Sequence, residues 1–389
     1  MSTPSAYVAG FAKASLVDPD LAASYIQHTQ LGDVQADALI ARLHGDPQGH
    51  HWIKLGIDGD LAALAHAPSE VRAFFEQAHE VPGWWQPHDA LEGCRAFHRH
   101  TELFLVAFLS AVLVEGFSTL ISKSFSITGK VMDNGEHRLK QNLRHLMEIF
   151  MPGGMEPGGD GWKLSVRIRL VHARVRLLLD QSPEWDHAAW GTPLSAAHIA
   201  AASTGFSGNL LKQAEVLGVR LSEREQAAFM MIWRYSAHLM GVVPELLFTD
   251  KASALRLARM AALCEPPPSL ESCQMVHSLI NAAPVLAGVK DQKAHRKFTQ
   301  RIYGFSRELI GDELANQLNY PPRAAFNQVG WFRASNRVDQ WLQKVLPPVA
   351  RSRHMGQFQL MLSLSHYDPD GLRYAMPEKL HAETEPDRR

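Results

Sequence analysis

One short segment of the sequence combines residue types that bind metals and anions. In RIRLVHARVR, residues 167–176, four arginines surround His172 and apolar residues fill the other positions. A neutral imidazole binds transition metals, and a guanidinium binds carboxylates or phosphates through paired hydrogen bonds. The segment is therefore the first candidate for a functional site.

This segment is predicted to form a helix inside the fold. Residues 162–168 alternate in polarity as a strand does, but a stretch of roughly eighteen residues before Pro183 favours a helix. On a helical wheel the charged residues and the histidine fall on two opposite edges, with Arg169, His172 and Arg176 on one and Arg167 and Arg174 on the other. Apolar residues fill both flanks, which predicts a helix packed on two sides.

The partners of these side chains stay open at this point. A buried guanidinium needs an anion, which a protein carboxylate or an anionic cofactor would supply. From the residues alone, a hydrogen-bonded core histidine is the simpler interpretation of His172, and metal ligation is the alternative.

A second helix is predicted at residues 136–150, EHRLKQNLRHLMEIF. Leucines, Met147 and Phe150 form one face, and the opposite face is polar, with Arg138, Gln141, Asn142 and His145. This polar face either meets water or lines a polar patch inside a cavity. The segment MPGGMEPGGDG, residues 151–161, is predicted to be the loop that joins the two helices, and its spacing is not that of a phosphate-binding loop.

The other long segments are also typical of helices, and no convincing run of strands occurs. Ser222 and Glu225 form a capping box at the start of one helix, Gly241 marks its end, and Asp250 opens the next. With 389 residues, of which 46% are hydrophobic, the chain has enough material for a substantial core. We predict an all-α fold with one large domain over residues 1–377, its helices packed as in globins, and a disordered polar tail over 378–389.

Composition excludes several classes of partner. The net charge of −1 provides no general attraction to nucleic acid or to an anionic membrane. The most apolar window, residues 103–114, spans only about 18 Å as a helix, against about 30 Å for a bilayer core, so we predict a buried helix and no transmembrane segment. Three unpaired cysteines and the absence of a secretory signal predict a cytoplasmic location with reduced thiols. The oligomeric state is left open.

Four pieces of the sequence, in order, carry a resemblance to a known family. They are the helix start at 138–142, PGG at 152–154, the RxxHAxxR element at 169–176 and WRYSAHLMGV at 233–242. Together they resemble the family of MpaB and the rubber oxygenases (latex clearing proteins) over roughly residues 80–260. The resemblance implies an all-α fold that holds haem b, with His172 as the proximal iron ligand and the opposite axial position open to dioxygen. From the spacing we further expect Arg169 and Arg176 to bind the haem propionates.

The resemblance is weaker at the distal side of the expected haem, where dioxygen would bind. Rubber oxygenases carry an Arg-x-x-Lys-Thr pattern there, and Arg138 matches the arginine, whereas Gln141 and Asn142 stand in place of lysine and threonine. An amide cannot act as a base at neutral pH. No acid occurs in residues 117–132, and Glu115 is the nearest candidate for the glutamate base of those enzymes.

The resemblance implies a haem-dependent oxygenase that uses dioxygen on a small apolar substrate of the isoprenoid or alkene type. Arg138, Gln141 and Asn142 are the candidate catalytic residues, and their departures from the pattern favour a substrate other than polyisoprene. A first alternative is a haem-binding or hydrophobic-ligand-binding sensor without turnover, favoured by the missing base. A second is a non-haem di-iron protein, suggested by ExxH at 76–79 and 184–187, although two further glutamates cannot be assigned.

Overall fold

The fold consists of helices. The computed structural model describes residues 2–128, 135–322, 328–334 and Gly356, and no β-strand occurs among them. The prediction of an all-α fold is therefore confirmed. The predicted tail, 378–389, lies outside the described residues.

Nineteen α-helices have defined bounds in the described part of the chain, and residues 328–334 are also helical. The first nine are α1 (Val8–Ser15), α2 (Pro19–His28), α3 (Val34–Leu43), α4 (Gly49–Asp58), α5 (Ser69–His79), α6 (Pro87–Arg99), α7 (Thr101–Ala107), α8 (Leu113–Phe117) and α9 (Ile121–Thr128). The others are α10 (Gly135–Ile149), α11 (Asp160–Asp180), α12 (His187–Trp190), α13 (Ala196–Thr204), α14 (Leu210–Val216), α15 (Glu223–Leu239), α16 (Lys251–Cys264), α17 (Leu270–Leu286), α18 (Gln292–Ile310) and α19 (Asp312–Gln317). Two π-helical turns, π1 (Phe108–Val112) and π2 (Gly205–Asn209), interrupt longer helical stretches.

The predicted helix boundaries are confirmed where the sequence carries capping residues. Ser222 and Glu225 form the capping box of α15, and the side chain of Asp250 accepts a hydrogen bond from the backbone N–H of Ser253 at the start of α16. Gly241 follows α15 with a φ of +86°, in the left-handed region that favours glycine. Its N–H donates to the carbonyl of His238, which closes the last turn.

The most apolar window, residues 103–114, is buried as predicted, but it is not one regular helix. It runs through α7, π1 and α8, because the π-turn inserts an extra residue into the helical hydrogen-bond pattern. In the described part of the chain, no single helix is long and apolar enough to cross a membrane. One bent pair, Pro87–Arg99 with Thr101–Phe117, meets the criteria of length and composition with a bend of 79°.

Four phenylalanines, none of them accessible to solvent, pack α6, α7 and α15 against the end of α10. Phe97 of α6 stacks on Phe150, just after α10, with 4.4 Å between the ring centroids. Phe229 of α15 lies 4.8 Å from Phe150 and 5.1 Å from Phe104 of α7. These stacked rings fix the end of α10 and the middle of α15 relative to α6 and α7.

We predict that Phe229→Ala lowers the free energy of unfolding by about 3–5 kcal/mol, because it removes a fully buried ring and leaves a cavity among three others. Chemical denaturation of the two proteins measures the difference. The matched control is Phe298→Ala, which truncates a ring that is 36% exposed on α18. An equal loss in both variants would contradict the role given to this cluster.

Candidate functional site

Helix α11 runs through the interior and carries the arginine–histidine segment. Its 21 residues form a single helix, as predicted, and it packs against α3 and α4 on one side and α9, α10 and α15 on others. Residues on both predicted apolar flanks are buried, among them Leu170, Ala173 and Val175. The prediction of a helix packed on more than one side is therefore confirmed.

The imidazole of His172 is half-buried, and its Nδ1 atom has no hydrogen-bond partner among the described residues. This nitrogen is shielded from solvent. Burial, reinforced by the nearby charge of Arg176, lowers the pKa of His172 to about 3. The ring is therefore neutral at physiological pH, with a buried nitrogen unsatisfied, and both properties suit a metal-bound imidazole. The simpler interpretation, a hydrogen-bonded core histidine, is not what the structure shows.

The anionic partners of the two neighbouring arginines are protein carboxylates. The Nε and Nη2 atoms of Arg169 donate to both carboxylate oxygens of Asp33, at 2.5 and 2.9 Å. Nε of Arg176 donates to the two carboxylate oxygens of Asp37 at 2.8 and 3.1 Å, and its Nη1 donates to the carbonyl of Leu194 at 2.7 Å.

Arg169 and Arg176, which were expected to bind the haem propionates, are each paired with an aspartate. Of the two partners left open from the sequence, a carboxylate and an anionic cofactor, the structure provides the carboxylate. The charge of each guanidinium is already balanced by an aspartate within hydrogen-bond distance. Binding of the haem propionates by Arg169 and Arg176 stays a prediction beside these carboxylate contacts.

Sequence reasoning missed Asp33 and Asp37, which lie at the start of α3. Asp33 is the N-cap of α3, and its side chain accepts a hydrogen bond from the N–H of Ala36. Burial raises the pKa of Asp33, but its hydrogen bonds with Arg169 outweigh this effect and the net shift is downward. A capping aspartate at this position was a recognisable local signal, but its pairing with α11 was not.

Part of the polar face of α10 lies inside the fold. Arg138 and His145 are buried, and Gln141 and Asn142 are half-buried. The guanidinium of Arg138 lies 4.3 Å from the centre of the Phe125 ring on α9. The side-chain amide of Asn142 donates to the carbonyl of Arg138 at 2.8 Å. The face therefore lies between the two interpretations: Arg138 and His145 are shielded from water, whereas Gln141 and Asn142 keep partial contact with it.

His145 joins three helices. Its Nε2 atom lies 3.0 Å from the hydroxyl oxygen of Ser165 on α11 and 3.3 Å from that of Ser236 on α15. Ser165 donates its only proton to the carbonyl of Gly161, so its oxygen accepts the hydrogen of His145 Nε2. Burial lowers the pKa of His145 to about 4, and its charge when protonated also disfavours protonation of His172.

Glu115, the nearest candidate for a base, contacts π2 rather than the polar face of α10. Its carboxylate accepts a hydrogen bond from the side-chain amide of Asn209 at the end of π2. Burial raises the pKa of Glu115 to about 7, against the opposing effect of Lys212. The carboxylate therefore lies where the two π-turns meet.

The residues that suggested a di-iron site have other contacts. Nδ1 of His79 is hydrogen-bonded to the carbonyl of Phe75, and its ring packs on Trp162 with centroids 4.6 Å apart. His187 lies 3.6 Å from the carboxylate of Asp180. Among the described residues, no group of three histidine, cysteine or carboxylate side chains is arranged to hold a metal ion.

Comparison with known proteins gives consistent results. The model of a family described as "ER-bound oxygenase mpaB/B'/Rubber oxygenase, catalytic domain" matches residues 95–338. The chain is 28% identical over 329 residues to the rubber oxygenase of Streptomyces sp. (strain K30), which covers 81% of this chain and 74% of that protein. A solved structure of the latex clearing protein LCP in the closed state has the same fold, with a TM-score of 0.68 and 19% identity over 90% of this chain and 94% of that one.

His145 and His172 predict a pH-dependent stability in the haem-free protein. Both take up a proton near pH 6.5 when unfolded, whereas in the folded state their pKa values are about 4 (His145) and about 3 (His172). Their contribution to stability is complete above pH 6.5 and is lost as the pH falls towards these folded-state values. Each histidine contributes at most about 1.4 kcal/mol per pH unit to the slope of the free energy of unfolding against pH.

Denaturation between pH 7 and pH 4.5 measures this slope. His145→Gln, which keeps a hydrogen-bonding side chain but binds no proton, should make it shallower. His50→Gln replaces an exposed histidine and is the control. A slope in His145→Gln that equals that of wild type would show that His145 binds protons equally in the folded and unfolded states, against the lowered pKa.

Proposed function

Because the chain belongs to the family of the mpaB/B' oxygenases and the rubber oxygenase, we propose that it is a haem b-dependent oxygenase. In this proposal it uses dioxygen to oxidise or cleave an apolar, alkene-bearing substrate, and His172 is the iron ligand. The observation that carries the proposal is the neutral imidazole of His172, with a buried nitrogen that no described residue satisfies.

The residues around His172 fit a haem ligand. Since its pKa is about 3, the imidazole keeps its lone pair available at any physiological pH. Helix α11 is held on several sides, so the backbone that carries the ring has a fixed position. Bound haem would supply the iron centre at which dioxygen is activated, a step that no amino-acid side chain performs.

The proposed catalytic residues, on the side of the haem where dioxygen would bind, are Arg138, Gln141 and Asn142. Arg138 is a buried cation, and packing over Phe125 holds its guanidinium in place. It would orient dioxygen through hydrogen bonds and stabilise negative charge that develops on oxygen. One N–H of Asn142 is engaged with its own helix, and the amide has a second N–H to offer.

The proposed substrate class follows from the family and from these residues. The Streptomyces relative is called a rubber oxygenase, which supports an apolar substrate of the polyisoprene type. Gln141 and Asn142 carry no charge and act as neither acid nor base at neutral pH. We therefore propose a smaller isoprenoid or alkene substrate rather than the polymer itself.

The alternative is a protein that binds haem or a hydrophobic ligand without turnover. The amides at 141 and 142 favour it, because they leave the interior face of α10 without a group that moves a proton near pH 7. Substrate-dependent consumption of dioxygen separates the two functions, since a sensor binds its ligand reversibly.

An oxygen-electrode assay with squalene as the alkene probe tests the proposed function. We expect the haem-loaded wild type to consume dioxygen and form carbonyl products. His172→Ala should abolish this uptake, and Arg138→Gln should reduce it at least about tenfold while haem remains bound. Arg256→Gln, which removes an exposed ion pair with Asp18, is the control. Haem binding without any alkene-dependent uptake would favour the sensor instead.

A further inference from the structure

We propose that Asp33 and Asp37 are positioning residues of His172, so that the start of α3 belongs to the functional site. The inference deepens the proposed function and rests on it. Neither aspartate lies within residues 95–338, the part of the chain that the family model matches. The segment from Asp33 to Asp37 would therefore complete the site from outside that region.

The two aspartates hold the helical turns on either side of His172. Arg169 precedes His172 by three residues and Arg176 follows it by four, which is about 4.5 and 6 Å along the helix axis. Each arginine is bound through its Nε atom to a carboxylate of α3. The ring of His172 thus projects from a helical stretch that is fixed at both ends.

The Arg169–Asp33 pair is rigid. The two aspartates are tied to each other, because the backbone N–H of Asp33 donates to the carboxylate of Asp37 at 2.9 Å. The guanidinium of Arg169 also lies over the ring of Phe74 at 4.9 Å. A side chain at position 241 would begin only 2.8 Å from Nε of Arg169, so Gly241 allows the backbone to close over this pair.

The Arg176–Asp37 pair is held in a similar way. The side chain of Arg176 is 3% exposed, and its Nη1 donates to the carbonyl of Leu194. A side chain at position 32 would begin 3.2 Å from Nε of Arg176 and closer still to the carboxylate of Asp37, so Gly32 leaves room for this pair. Neither guanidinium can turn away from α3 without leaving buried donors unsatisfied.

The pairs also set the charge around the imidazole. Arg176 opposes a positive charge on His172, and Asp33 favours one. With both aspartates ionised, the two arginines next to the ring are neutralised. Replacement of either aspartate by asparagine would leave an unpaired cation within about two turns of the ring, and this cation would oppose binding of a positively charged metal.

The test compares Asp33→Asn and Asp37→Asn with Asp33→Glu and with Glu215→Gln. Asp33→Glu keeps the charge. Glu215→Gln breaks a partly buried ion pair with Lys251, 2.6 Å long, between α14 and α16, and it is the control for a loss of stability alone. Asp37 is the more exposed aspartate, at 35%, so its variant is informative even if Asp33→Asn does not fold.

Two readouts are measured on each protein. The first is the affinity for haem b, which we expect to fall about tenfold or more in the asparagine variants, as for other residues that support a metal ligand. The second needs no haem: the ring nitrogen resonances of His172 in ¹⁵N-histidine-labelled apoprotein, assigned by their loss in His172→Ala. These resonances should move in the asparagine variants, stay in place in Glu215→Gln and return towards wild type in Asp33→Glu.

The outcomes separate this inference from the proposed function. If the asparagine variants match Glu215→Gln in both readouts, the aspartates are merely structural and the inference is overturned. If wild type binds no haem, the proposed function fails, and the ring resonances alone decide whether the aspartates position His172.

Discussion

Two positive charges buried beside a neutral imidazole are the constraint around which this molecule is arranged. Arg169 and Arg176 lie on an interior helix, and each must have an anion within hydrogen-bond distance. The aspartates at the start of α3 supply these anions, so the N-terminal helices have to pack against α11. Loss of Asp33 from its shielded pair would cost about 3–5 kcal/mol, a large fraction of the stability of a domain. Loss of Asp37, which is 35% exposed, would cost less because solvent screens the charge.

A different set of interactions holds the other side of α11. His145, Ser165 and Ser236 link α10, α11 and α15 through hydrogen bonds in a region that excludes water. The stacked phenylalanines hold the adjoining ends of α10 and α15. Because both sides of α11 are fixed, His172 lies on a rigid helix rather than on a loop. A rigid support of this kind suits a metal ligand.

The local features of this fold were predictable from sequence, and the distant contacts were not. Caps such as Ser222 and Gly241, the glycine loop and the interior position of α11 follow from interactions within a few residues. Asp33 is separated from Arg169 by 136 positions in the chain, and no periodicity connects them. The need for an anion beside each arginine was therefore predictable from the sequence, but the two aspartates that supply one were not. The π-turns were missed because one inserted residue leaves the apolar pattern of residues 103–114 unchanged.

The most direct test of the central claim is the absorption spectrum of the purified protein after reconstitution with haem b, with wild type and His172→Ala side by side. His238→Ala, which removes a half-buried histidine at the end of α15, serves as the matched control. Ligation by His172 predicts a Soret band of a histidine-bound haem in wild type and in the control, and loss or a marked change of that band in His172→Ala. A wild type without a Soret band, or a His172→Ala variant with the spectrum of wild type, would contradict the assignment of His172 as the iron ligand.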